Sequence, residues 1–96
     1  MIHPTAIIHP GAQLHESVRV GPYSVIDEHV TVGAGCELAP HVHLTGHTTI
    51  GAENRFHTGC VIGDAPQDLK YGDEPTWLII GDRNLFREHV TVHRSN

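Results

Sequence analysis

The sequence predicts an all-β fold, a left-handed parallel β-helix of about five coils with one external loop. Three observations predict it. Every sixth residue from Ile2 through Ile62 is large and apolar: Ile2, Ile8, Leu14, Val20, Ile26, Val32, Leu38, Leu44, Ile50, Phe56 and Ile62. With 39% apolar residues overall, such a run arises by chance only about three times in 100,000. An α-helix repeats every 3.6 residues and a half-buried strand every two, so neither explains a period of six. Aromatic residues make up only 5% of the 96 residues, as suits a narrow prism filled with aliphatic side chains. The period is then broken by one polar stretch, Ala65-Pro66-Gln67-Asp68-Leu69-Lys70-Tyr71-Gly72-Asp73-Glu74-Pro75-Thr76, and resumes at Ile80.

Each hexapeptide supplies one short flat side and a corner, and three close a coil of 18 residues; a six-residue period is the signature of this architecture. Coils then stack about 4.8 Å apart, the spacing of paired strands. The first coil carries Ile2, Ile8 and Leu14, the second Val20, Ile26 and Val32, and the third Leu38, Leu44 and Ile50. The fourth opens with Phe56 and Ile62. Stacking by eighteens predicts the columns Ile8, Ile26, Leu44, Ile62 and Ile2, Val20, Leu38, Phe56. Four residues beyond each anchor comes a mostly small side chain, Cys36 and Cys60 among them. A cysteine there behaves as a small apolar residue. The two have no CxxC spacing and carry no disulfide or zinc signature.

The step from Ile62 to Ile80 is 18 residues, so spacing alone allows an ordinary coil. That coil would place Asp68 and Glu74 at inward positions, and burying unpaired carboxylates is prohibitively costly. The stretch is therefore read as a loop thrown out of the coil, about residues 64–78, with Pro66, Gly72 and Pro75 as turn residues. Such excursions commonly build the site of a solenoid. The whole chain, 1–96, is read as one domain.

Six Lys and Arg against eleven Asp and Glu give a net charge of −5 with histidine neutral, which argues against nucleic acid as a partner. No apolar run approaches a membrane span, and no basic-then-apolar leader opens the chain; the expected location is cytoplasmic. Ten histidines invite a metal hypothesis, which the register tests. Side chains share an edge only when their numbers differ by a multiple of 18. His29 and His47 meet this at one coil, His57 and His93 at two. His3, His9 and His15 lie on three different sides and do not converge. Most histidines are read as corner residues, and no metal is assigned. Asp82, Arg83, Arg87 and Glu88, beside the loop, form a charged cluster that is either a solvated face or part of a site.

More specific than the hexapeptides are Ile62-Gly63-Asp64-Ala65-Pro66-Gln67-Asp68-Leu69-Lys70-Tyr71, Glu74-Pro75-Thr76, Ile80-Gly81-Asp82-Arg83-Asn84, Arg87-Glu88 and Val92-His93-Arg94. Together with the opening His-Pro-Thr-Ala and with Gly46-His47-Thr48, these resemble the acyl-carrier-protein:UDP-N-acetylglucosamine O-acyltransferase family of lipid A biosynthesis. The resemblance implies a cytoplasmic homotrimer without cofactor. It would transfer a 3-hydroxyacyl group from acyl carrier protein to the 3-hydroxyl of UDP-N-acetylglucosamine in clefts between subunits. It also implies substrate-binding roles for Gln67, Asp68 and Lys70, with His93 and Arg94 as weaker candidates. The family's general-base histidine lies in a His-x-x-His-Asp segment after the stretch matched by His93-Arg94, and the resemblance places that segment beyond Asn96. No residue of this chain takes the catalytic role, and the 96 residues alone are expected to be inactive. The family's later coils and C-terminal helical domain have no counterpart in these 96 residues. The alternatives are a non-catalytic trimeric β-helix module and, less favoured, an intersubunit-metal protein like the γ-class carbonic anhydrases, with His57 and His93 as ligands.

Overall fold

The computed structural model describes residues 1–64 and 77–93, all in strands, corners and turns. Among the described residues, thirteen short parallel strands form the three faces of a left-handed prism. The first face stacks β1 (Ile7–Ile8), β4 (Val25–Ile26), β7 (His43–Leu44), β10 (Val61–Asp64) and β13 (Thr91–His93). The second stacks β2 (Gln13–Leu14), β5 (Val30–Val32), β8 (His47–Ile50) and β11 (Trp77–Ile80). The third stacks β3 (Arg19–Val20), β6 (Glu37–Leu38), β9 (Arg55–Phe56) and β12 (Leu85–Phe86), and an isolated bridge sets Ile2 beside Val20.

The strands are two to four residues long because each must turn a corner every six. One residue of each pair points inward and stacks on its like. Ile8, Ile26, Leu44 and Ile62 form one column, and Ile2, Val20, Leu38 and Phe56 another, as the period of 18 predicts. A third runs Leu14, Val32, Ile50 and Ile80. Phe56 and Phe86 stack with ring centroids 4.9 Å apart and planes at 2°. The small positions are also inside: Cys36 and Cys60 are fully buried free thiols, and burial pushes the Cys60 thiol above its ordinary value. Ser24, Thr48 and Asn54 are buried too, and each is hydrogen-bonded. A buried polar atom is tolerated only on that condition.

Below the third coil the register changes. Ile80 lies beside Ile50, Phe86 beside Phe56 and Val92 beside Ile62, so each step is 30 residues where the earlier ones are 18. The surplus is twelve residues, the length of the stretch 65–76. Asp64, Trp77 and Leu78, included in the predicted loop, belong to β10 and β11. Asn54 bridges the change of step. Its Nδ2 donates to Gly81 O (2.7 Å) and to Ala52 O (3.4 Å), and its Oδ1 accepts from Asn84 N (2.8 Å).

The three corners are built differently. Between the second and third faces, Gly35, Glu53 and Arg83 take left-handed φ of 72°, 59° and 57°. Between the third and first faces, Tyr23, His41, Gly59 and His89 do the same. The corner between the first and second faces has no such column. There His47 already belongs to β8, and the left-handed residues are Gly46 and Gly63.

Candidate functional site

The irregular corner is where the chain departs after Asp64 and returns at Trp77. Gly63 opens it with φ of 90°, and a Cβ there would collide with Thr45 O and Thr48 Oγ1. The register between β10 and β13 slips at this point, so Asp64 rather than Gly63 faces His93. That bulge sets His93 at the mouth of the departing segment.

On the other side of the corner three rings stack. His29 and His47 lie 4.3 Å apart at 16°, and Trp77 packs on His47 at 4.6 Å with a 48° tilt. Glu28 Oε1 sits 3.3 Å from His29 Nε2. The pairing of His29 with His47 follows from the 18-residue period. Trp77 does not, because its place on His47 needs the 30-residue step. On the first face, His43 Nε2 lies 2.9 Å from Asp27 Oδ2. Burial opposes ionisation of Asp27, but hydrogen bonds from Thr45 and His43, and the charges of His43 and His9, hold its carboxyl below the usual range. Sequence reasoning missed this pair, whose members lie 16 residues apart and so do not fall on the 18-residue ladder.

Of the sequence-predicted substrate residues, His93 is placed, at the end of β13. Gln67, Asp68, Lys70 and Arg94 lie outside the described residues. So does Asn96, the position beyond which the resemblance puts the family's general base, and the described strands end at His93. His57 and His93 do not share an edge. Their spacing of 36 spans the twelve surplus residues, so His57 follows β9 on the third face while His93 ends β13 on the first. The shared edge that a strict 18-residue register gave these two histidines is not formed. The charged cluster divides as well. Asp82 Oδ1 accepts from Ala52 N (2.8 Å) at one corner. At another, Glu88 Oε1 meets Arg87 Nε at 3.1 Å and His57 Nδ1 at 3.3 Å. A backbone N–H bond and then the Arg87 side chain hold the Glu88 carboxyl below its ordinary value. Among the described residues no group of three or more His, Cys, Asp or Glu is placed to hold a metal. Among them too, no helix is long and apolar enough to cross a membrane.

Chemically, the corner offers an imidazole at the root of the departing segment and a carboxylate beside it. An aromatic and imidazole stack flanks the point of return. Such groups bind and orient polar, hydroxyl-bearing ligands.

Residues 11–46 match the bacterial transferase hexapeptide model of six repeats. Over 93 residues the chain is 52% identical to an acyl-(acyl-carrier-protein)–UDP-N-acetylglucosamine O-acyltransferase of Saccharophagus degradans, covering 97% of this chain and 36% of that one. It is 46% identical, over the same shares, to the protein of that name from Psychrobacter sp.. The crystal structure of UDP-N-acetylglucosamine O-acyltransferase (LpxA) from Moraxella catarrhalis RH4 superposes with a TM-score of 0.96 at 43% identity. That match covers 99% of this chain and 37% of that one. The chain thus spans about a third of the length of the curated relatives it matches.

Proposed function

We propose, on the premise that the chain is homologous over 97% of its length to UDP-N-acetylglucosamine O-acyltransferases, that it forms the sugar-nucleotide side of such an enzyme. The reaction is transfer of a 3-hydroxyacyl group from acyl carrier protein to the 3-hydroxyl of UDP-N-acetylglucosamine, the first step of lipid A biosynthesis. The similarity along the whole chain carries this reading. In it, residues 1–96 are one β-helix domain of a cytoplasmic homotrimer, the segment between β10 and β11 contributes to a cleft between subunits, and later coils complete the site.

The roles follow from donor chemistry. Asp68 accepts hydrogen bonds from sugar hydroxyls, Gln67 both donates and accepts, and Lys70 offsets the anionic diphosphate in a chain of net charge −5. His93 and Arg94 support the same cleft. The position of His93 beside Asp64, at the root of the segment, favours its inclusion. Acyl transfer to a hydroxyl needs a general base within hydrogen-bond reach and donors for the tetrahedral oxyanion. No residue from Met1 to Asn96 is assigned the base. A general base contributes typically 10²–10⁴-fold, so the 96-residue chain alone is expected not to turn over.

The test is titration of UDP-N-acetylglucosamine into the chain, followed by amide shifts, beside an acyl-transfer assay with acyl carrier protein as donor. Saturable binding weakened by Asp68→Asn and Lys70→Ala, without turnover, supports the reading. Turnover that survives Lys70→Ala, or binding indifferent to both substitutions, overturns it.

A further inference from the structure

We propose that the third face carries a second binding site, unrelated to the corner described above, for a single-chain anionic amphiphile of the fatty-acid class. A groove of about 500 Å³ runs along this face, within the range typical of small-molecule sites. One wall is a rail of Arg19, Glu37 and Arg55 from three successive coils. Arg19 pairs with Glu37 and Glu37 with Arg55 in direct register. The floor lies over Gly21 and Ala39, and Met1 lines the groove as well.

Small residues, Gly21 and Ala39, follow the anchors along this groove, and the coils stack closely beneath it. A Cβ on Gly21 would lie 2.8 Å from Ala39 C, so even alanine would press on the next coil. The backbone N–H groups of the floor are spent within the stack, and His57, which also lines the groove, has its Nδ1 3.3 Å from Glu88 Oε1. Gly21 N donates to Leu38 O (2.8 Å) and Ala39 N to Phe56 O (2.9 Å), both within the stack. Because strands lie flat along this wall and their amides are paired, an added peptide strand has nothing to pair with. The body of the ligand must therefore be apolar.

Its head must be anionic. Glu37 is shared: Oε1 accepts from Arg19 Nη1 (3.2 Å) and Oε2 from Arg55 Nε (3.0 Å). Each guanidinium thus spends one of its five N–H groups, and both side chains remain about 70% exposed (72% and 68%). Two cations against one carboxylate leave this wall net positive in a chain of charge −5. A planar fork of unused N–H groups suits a carboxylate in bidentate geometry. An alkyl chain along the floor with its carboxylate on the rail satisfies both halves. A neutral lipid lacks the head, and an acidic peptide lacks the continuous apolar body.

Decanoate is the probe, with decanol as the neutral control, titrated into the intact 96-residue chain and followed by amide chemical shifts. The expected result is saturable binding, with shifts at Gly21 and Ala39 and at least roughly tenfold weaker binding of decanol. The double variant Arg19→Gln/Arg55→Gln should weaken decanoate by a similar factor. Glu37→Gln, which removes the competing carboxylate, should tighten it, an effect that non-specific adsorption would not give. Circular dichroism checks that each variant keeps the native spectrum. If a variant does not, Arg55→Lys replaces it and should lose the bidentate part of the affinity. Shifts that map to another face overturn the proposal. So does equal affinity for decanol, indifference to the arginine substitutions, or tighter binding of polyglutamate than of decanoate. Groove shifts that depend on protein concentration alone, without decanoate, assign the face to a second copy of the chain and overturn it too.

Discussion

Replacing Gly63 by alanine tests whether the irregular corner is set by backbone geometry. Gly63 has φ of 90°, and a left-handed conformation costs an L-residue about 1–2 kcal/mol. The new methyl group would meet Thr45 O and Thr48 Oγ1, which already bond to one another at 2.7 Å, with Thr48 itself fully buried. Spoiling that bond adds about 1–3 kcal/mol, for a total of about 2–5 kcal/mol. Gly81 is the control. It occupies the equivalent place after the anchor Ile80, has no left-handed φ, and has nothing within 4 Å of an added Cβ. Gly81→Ala should be neutral or stabilising by up to about 1 kcal/mol, through the lower entropy of the unfolded chain. A domain of this size is stable by about 5–15 kcal/mol. Thermal unfolding followed by circular dichroism should therefore drop by about 10 °C or more for Gly63→Ala and hold or rise for Gly81→Ala. Equal shifts for the two variants would refute the argument, because the only difference invoked is φ and the crowding at that corner.

Other consequences follow from the stack. Leu44→Ala, at the fully buried centre of its column, should cost about 2–5 kcal/mol, and Leu14→Ala, half-covered in the first coil, clearly less. Urea midpoints measure the difference, and equal losses would contradict nearest-neighbour stacking. Asn54→Leu leaves Gly81 O and Asn84 N without their partner and should cost about 2–4 kcal/mol, read by the same assay. Asp27 has a folded pKa below its unfolded value, so its contribution is present above the unfolded pKa and is lost as pH falls through the folded one. Asp27→Asn should make the decline in urea midpoint below about pH 4 shallower than in the parent chain. Cys60, buried and with its thiol pKa raised, should react with a thiol reagent at neutral pH only as fast as the chain opens. Adding sub-denaturing urea should accelerate the labelling; rapid labelling of the native chain would contradict the burial.

The columns of Ile26, Leu44 and Ile62 and the buried cysteines were legible in the sequence because they depend only on which residue type recurs at each sixth position. The excursion was legible from chemistry rather than from spacing. Twelve residues are two full hexapeptides, so the apolar phase survives from Ile62 to Ile80 as though nothing intervened. Only the cost of burying Asp68 and Glu74 betrayed it. Contacts across that point were not legible. Trp77 rests on His47, His93 lies beside Asp64, and His57 stands on another face, all set by a step of 30 residues rather than 18. The His43–Asp27 pair also escaped, since it joins positions off the ladder.

The sequence alone thus determined the prism, its inward columns and the stretch that leaves it, for these follow from local side-chain chemistry repeated in phase. The tertiary structure decided which coil each residue meets after the interruption, and with it the make-up of the corner. Neighbours across coils are a matter of register, and an insertion that is a multiple of the period changes register without disturbing phase.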